Sequence, residues 1–280
     1  MFQRIFVPVD GSTASFHALN QALQIAACER AVVTILCVID ARVSNKARVY
    51  LPMQDKIMVS DAIGLPSKIT STYQAWAQQV IDRAQARGEA VGVEMHTEIV
   101  TGVPYHEIIA RSSRYDLLVM GTWETSSAYP GPFLAGNTLW YVVAHTHLPI
   151  LFVPASSKHK KLQTIVMAYD DSREARDALQ LAATWSHVWE LTLIVLTVQQ
   201  NGRQAQTLLH KARVRAQPAV PRLVAREGDP LKAILNVATQ YHCDLIALGV
   251  HASHALFGYS LGNLTDILLR TTNLPVLLSH

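Results

Sequence analysis

The chain repeats itself, and no other feature constrains its fold as strongly. The stretch "GTWETSSAYPGPFLAGNTLWYVVAHTHLPILFVP" (121–154) returns as "GVHASHALFGYSLGNLTDILLRTTNLPVLLSH" (249–280). Both start on a Gly after an apolar run and reach Gly-Asn, Gly136-Asn137 and Gly262-Asn263. Each then passes through a helix-like segment to Leu-Pro and a short apolar strand.

The repeat extends upstream. "RIFVPVDGS" (4–12) matches "TIVMAYDDS" (164–172), an apolar strand running into Asp and then Ser. Helix-like segments with three- and four-residue apolar spacing follow each. Asp10 and Ser12, or Asp170 and Ser172, are suited to capping their orphan amides. "AVVTILCVID" (31–40) and "ELTLIVLTVQ" (190–199) are continuous and β-branched, as in strands covered on both faces. "GVPYHEIIARSSRYDLLVMG" (102–121) matches "GDPLKAILNVATQYHCDLIALG" (228–249), with Gly-x-Pro opening a helix and Asp116 or Asp244 before a fourth strand. The order β-α-β-α-β-α-β-α-β occurs twice, which predicts an α/β fold: two tandem doubly wound, Rossmann-like domains, each with a five-stranded parallel sheet, related by a pseudo-twofold.

The polar, basic stretch "PASSKHKK" (154–161) separates the copies. It places a first domain at 1–154, a linker at 155–161 and a second domain at 162–280. Residues 41–70 have no counterpart of equal length in the second half, and they read either as a lid over a site or as a surface loop or extra helical turn. The chain has 280 residues, 50% of them hydrophobic and 16% charged, so it can fill two cores. A net charge of +3 gives no argument for nucleic acid or a membrane surface. No apolar stretch approaches the ~18 residues of a membrane span. The three cysteines, Cys28, Cys37 and Cys243, are unclustered, which suits a reducing cytoplasm.

Ligands of open α/β sheets collect at the carboxyl ends of the strands. Asp10 and Asp170 fall there, as do Gly121 and Gly249. Gly136-Asn137 and Gly262-Asn263 sit where the last helices begin. A glycine-bearing helix start offers free amides to a phosphate, and an Asp can accept from a ribose hydroxyl or an adenine amino group. Each Asp can equally serve as a cap alone.

These residues resemble the universal stress protein family in its tandem form, over nearly the whole chain. The family's nucleotide motif is Gly-x2-Gly-x9-Gly-Ser/Thr, sometimes ending in Asn. The second half offers Gly249-x2-Ala252-x9-Gly262-Asn263, followed by Leu264. The first half offers Gly121-x2-Glu124, then eleven residues including Pro130 and Pro132, then Gly136-Asn137-Thr138. ATP-binding members resemble the first half at Pro8, Asp10, Val38 and Met120; the matching second-half residues are Ala168, Asp170, Val198 and Leu248. Asp171 replaces the Gly that follows the first Asp and adds negative charge. Glu124 would repel a triphosphate, so the second half is favoured as the better retained site.

The resemblance implies a cytoplasmic stress-response regulator that binds an adenine nucleotide, ATP or AMP, with or without Mg2+. Little or no hydrolysis is expected, so the chain is not read as an enzyme, and no tightly bound redox cofactor is implied. The domains are expected to pair through "LPILFVP" and "LPVLLSH", and a homodimer is allowed. The alternative is a degenerate scaffold that binds no nucleotide and acts through dimer surfaces or another small ligand. An ATP pyrophosphatase-type ligase ranks last, because "VDGSTAS" and "YDDSREA" lack the paired glycines of that loop. Of twelve histidines, His145-x-His147 and His251-x2-His254 are the pairs nearest metal-ligand spacing, and each reads first as a surface or cap pair.

Overall fold

The computed structural model describes residues 2–41, 49–53, 56–60, 66–122, 135–157, 161–250, 252–255, 258–261 and 263–280. The chain divides into two compact units. Unit 1 holds residues 1–148 and 153–159, and unit 2 holds residues 149–152 and 160–280.

Unit 1 begins with β1 (Arg4–Val9), α1 (Thr13–Glu29) and β2 (Val32–Asp40). A two-stranded antiparallel hairpin follows, β3 (Val49–Met53) with β4 (Lys56–Ser60), in the segment that reads as lid or loop in the sequence. Then come α2 (Pro66–Val91), β5 (Met95–Gly102), α3 (Pro104–Ser112), β6 (Leu117–Gly121) and α4 (Ala135–His145). The sheet order is β6-β1-β2-β5. The chain therefore builds outward from β1 to β5 and returns to β1's other side with β6. The helices pair as α1 with α2 and α3 with α4.

Unit 2 follows the same plan with β8 (Thr164–Ala168), α5 (Arg173–Val188), β9 (Thr192–Val198), α6 (Gly202–Arg215), β10 (Arg222–Arg226), α7 (Pro230–Gln240) and β11 (Leu245–Gly249). A short antiparallel hairpin, β12 (Ala252–Ala255) with β13 (Gly258–Leu261), leads to α8 (Asn263–Thr271) and β14 (Val276–Ser279). The sheet order is β10-β9-β8-β11-β14-β7. Strand β7 (Ile150–Val153) supplies residues 150–152 to this unit and runs antiparallel to β14, pairing Phe152 with Val276 and Ile150 with Leu278. The pairing joins the two Leu-Pro strands, those the family resemblance singles out. Every other strand pair of the two sheets for which a register is defined is parallel.

The apolar runs form the centre of each sheet. Ile5, Phe6, Val7, Val33, Ile35 and Leu36 have no exposed surface in unit 1, nor do Ile165, Val166, Met167, Val195, Ile246 and Leu277 in unit 2. Burying each large aliphatic side chain contributes about 1.5–3 kcal/mol before the entropy of ordering is set against it. Asp116 and Asp244 align the first and fourth strands. Asp116 Oδ2 accepts from the backbone amides of Gln3 and Arg4 at 2.9 Å, and Asp244 Oδ2 from those of Gln163 and Thr164 at 3.0 and 3.1 Å.

Candidate functional site

Each sheet has one point where the order of construction reverses. It lies between β1 and β6 in unit 1 and between β8 and β11 in unit 2. Strands there send their following segments to opposite sides, which opens a crevice at their carboxyl ends. Asp10 and Gly121 flank that point in the first unit, and Asp170 and Gly249 flank it in the second.

Both aspartates are exposed and organise the helix start behind them. Asp170 Oδ1 accepts from the Ser172 amide at 2.9 Å, and Ser172 Oγ accepts from the Ala175 amide at 3.1 Å. In unit 1, Asp10 Oδ1 accepts from both the amide and the hydroxyl of Ser12, at 3.0 and 2.6 Å, and Ser12 Oγ accepts from the Ser15 amide at 3.2 Å. The serine caps the helix and the aspartate holds the serine. Among the described residues neither Asp Oδ2 has a hydrogen-bond partner, so each keeps a carboxylate oxygen to offer.

The added charge of Asp171 does not stand beside this oxygen unopposed. Gly11 takes φ 79° after Asp10, and Asp171 takes φ 65° after Asp170, a conformation that costs an L-residue about 1 kcal/mol or more. The side chain, 10% exposed, turns into a cationic cluster. Asp171 Oδ1 accepts from Arg176 Nε at 2.9 Å and from the Tyr169 hydroxyl at 2.7 Å, and Oδ2 from Lys211 Nζ at 2.7 Å. Arg176 first, then Lys211 and Tyr169, hold the carboxyl well below the usual carboxylate range. Burial, and then the bond to Asp171, push the Tyr169 hydroxyl up to about 12.

The strand-end glycines have a packing reason of their own. A Cβ on Gly121 would stand 2.5 Å from the backbone of Ala14 and 2.7 Å from the Ser15 amide. One on Gly249 would run into the backbone of Glu174 and Ala175. The helix after the first strand lies directly against the end of the fourth, and only glycine permits that approach.

The other residues expected at the site are distributed as follows. Pro8 lies in β1, Val38 half-buried near the end of β2, and Met120 buried beside Gly121. Val198 is half-buried at the end of β9, and Leu248 is buried beneath Gly249. Gly136, Asn137 and Thr138 fall in the first turn of α4; Asn263 and Leu264 open α8; Ala252 begins the β12–β13 hairpin. Gly262, Glu124, Pro130, Pro132 and His251 lie outside the described residues.

An open depression of about 380 Å³ adjoins Asp170. Among the described residues, Gln199, Arg203, Gln204, Thr207 and Leu208 line it as well. Of this wall only Gln199 falls within a stretch that repeats along the chain. The only signal of the rest was the four-residue spacing of 203/207 and 204/208 directly after a strand, which any surface helix shows. Among the described residues no group of three His, Cys, Asp or Glu side chains could hold a metal ion. His145 Nδ1 donates to the Tyr141 carbonyl oxygen at 2.8 Å and its ring stacks on Tyr141. Burial first, and Asp10 second, push the Cys37 thiol up to about 12, which disfavours its thiolate form.

A model of the universal stress protein family matches residues 1–154 and 199–280. A universal stress protein of Methanocaldococcus jannaschii is 29% identical over 165 residues, 56% of this chain and 85% of that protein. A solved universal stress protein from Archaeoglobus fulgidus matches with a TM-score of 0.75 at 20% identity, over 99% of this chain and 95% of that one. A functionally unknown protein from Pseudomonas aeruginosa matches with a TM-score of 0.61 at 15% identity, over 99% of this chain and 92% of that one. At such identities the two structures establish the shared fold.

Proposed function

The chain belongs to the universal stress protein family, and from that premise we propose that it is a stress-response regulator that binds an adenine nucleotide, ATP or AMP, in unit 2. The observation that carries this is Asp170: one carboxylate oxygen holds the helix start, and the residue also lines a depression of about 380 Å³. A ribose hydroxyl or adenine amino group donates to the other oxygen. Val198 and Leu248 flank the base or sugar. The phosphates run toward Gly249, Ala252, Gly262, Asn263 and Leu264, where the start of α8 offers amides and the positive end of its dipole. Mg2+ accompanies the phosphates where their charge requires it.

The first unit, through Pro8, Asp10, Val38, Met120, Gly121, Gly136, Asn137 and Thr138, binds more weakly or not at all. Glu124 opposes a phosphate there. The halves act as domains, 1–154 and 162–280, joined by 155–161, in the cytoplasm, alone or as a homodimer. No helix among the described residues is long and apolar enough to cross a membrane. Turnover is expected to stay at a slow background; a hydrolysis rate abolished by one site substitution overturns that part.

One observation favours the scaffold alternative: packing alone accounts for Gly121 and Gly249. Calorimetric titration with AMP and ATP separates the two, with mass spectrometry of ligand extracted from the purified protein. Gly262→Asp, which brings bulk and negative charge to the phosphates, is expected to weaken binding by tenfold or more, about 1.4 kcal/mol. Gly136→Asp should change it less than about twofold. No binding to the wild type at millimolar nucleotide gives the answer to the scaffold, and a damaging Gly136→Asp moves the site to unit 1.

A further inference from the structure

Among the described residues, one helix supplies most of the lining of the depression beside Asp170. Arg203, Gln204, Thr207 and Leu208 stand at positions i, i+1, i+4 and i+5 of α6, so they share a face, and Gln199 joins them from the end of β9. Two amides of the first turn of α6 are already taken up by its cap. Asn201 Oδ1 accepts from the Arg203 and Gln204 amides at 2.9 and 3.4 Å. Thr207 Oγ1 donates to the Arg203 carbonyl oxygen at 3.0 Å, which occupies the hydroxyl proton. What the wall presents besides is the aliphatic Leu208, two carboxamides and one guanidinium.

That guanidinium and the Asp170 carboxylate line the same space without forming an ion pair, and among the described residues Arg203 has no carboxylate partner. A carboxylate and a guanidinium on the lining of one depression suit a ligand that presents donors to one and an acceptor edge or a flat π-face to the other. Ribose and a purine base meet that description. Gln is the side chain that pairs bidentately with the amino and ring-nitrogen edge of adenine, and a guanidinium plane stacks well on a base.

We infer that this face of α6, with Arg203 and Gln204 as its specificity-determining residues, recognises the base of the nucleotide whose ribose meets Asp170. The inference rests on the adenine-nucleotide reading of unit 2. It assigns base selection to α6 and leaves phosphate binding where that reading has it.

The test compares AMP with ribose 5-phosphate, which keeps the sugar and phosphate and lacks the base. The variant is Arg203→Ala combined with Gln204→Ala. Both residues are exposed in the first turn of α6, Asn201 still caps it, and alanine is the best helix former, so the fold is retained. Affinity for AMP is expected to fall by tenfold or more, while ribose 5-phosphate, measured by competition against AMP, binds variant and wild type within about twofold. GMP should gain relative to AMP in the variant, because the carboxamide that reads adenine is gone. Equal AMP affinity in variant and wild type overturns the assignment of the base to α6 and leaves the nucleotide reading standing. A parallel loss of ribose 5-phosphate binding also overturns it, since the effect then lies outside the base. A wild type that binds neither AMP nor ribose 5-phosphate overturns the nucleotide reading itself, and this inference with it.

Discussion

Asp171 shows how one side chain reverses its meaning once its neighbours are in place. Beside a nucleotide site it reads as an unwelcome charge. In the fold it is the anion that Arg176, Lys211 and Tyr169 converge on, with the Arg215 Nε 3.9 Å away. Its folded-state pKa is depressed, so its stabilising contribution is complete above the unfolded value of about 3.9 and is lost as pH falls through that value toward the folded one. Asp171→Asn should therefore be less stable than wild type at pH 7 and should lose less on going from pH 5 to pH 3. Thermal melts of both proteins across that range measure it. Parallel melting curves with a constant offset would mean that the cluster carries no proton-linked stability.

At the scale of elements, the repeated joint is strand end against helix start. Gly249 meets the backbone of Glu174 and Ala175, and on the far side of the same two strands Asp244 holds the amides that open β8. Gly249→Ala forces a Cβ into backbone, which cannot swing aside as a side chain can, and should cost about 1–3 kcal/mol. Asp244→Ala leaves two amides without their charged acceptor and should also cost about 1–3 kcal/mol. Urea denaturation of unit 2's transition checks both, with Asp116→Ala as the matching change in unit 1. A cost below about 0.5 kcal/mol for Asp244→Ala would show that water replaces the carboxylate without loss.

At the scale of the whole molecule, the compact units do not follow the chain without interruption. Residues 149–152 pack with unit 2, and residues 153–159 return to unit 1. Strand β14 is buried at every position and pairs with β7 through Val276, Leu277 and Leu278. A fragment of residues 162–280 lacks that partner and exposes an edge with three apolar residues, Val276, Leu277 and Leu278, the setting in which strands pair with other chains. It should self-associate or melt lower than a fragment of residues 149–280. Light scattering and thermal melts compare the two, and an equally stable, monomeric 162–280 fragment would show that β7 is dispensable to the second sheet.

The amino-acid sequence by itself determined the repeat, the alternation of strand and helix, and the Asp-then-Ser joint that ends the first strand of each half. These are local signals: apolar spacing within an element, and a side chain capping amides two or three residues away. Family membership was legible for the same reason, since the Gly-Asn and Leu-Pro landmarks keep their order along the chain. Tertiary structure alone decided what depends on distant residues. It set Gly249 against a helix that begins more than seventy residues earlier. It brought Lys211 to Asp171 across 40 residues and turned a face of α6 toward Asp170. It also sent strand β7 to unit 2. Periodicity within α6 marks which residues share a face, but what that face meets is settled only when the sheet orders its strands and places the helix beside them.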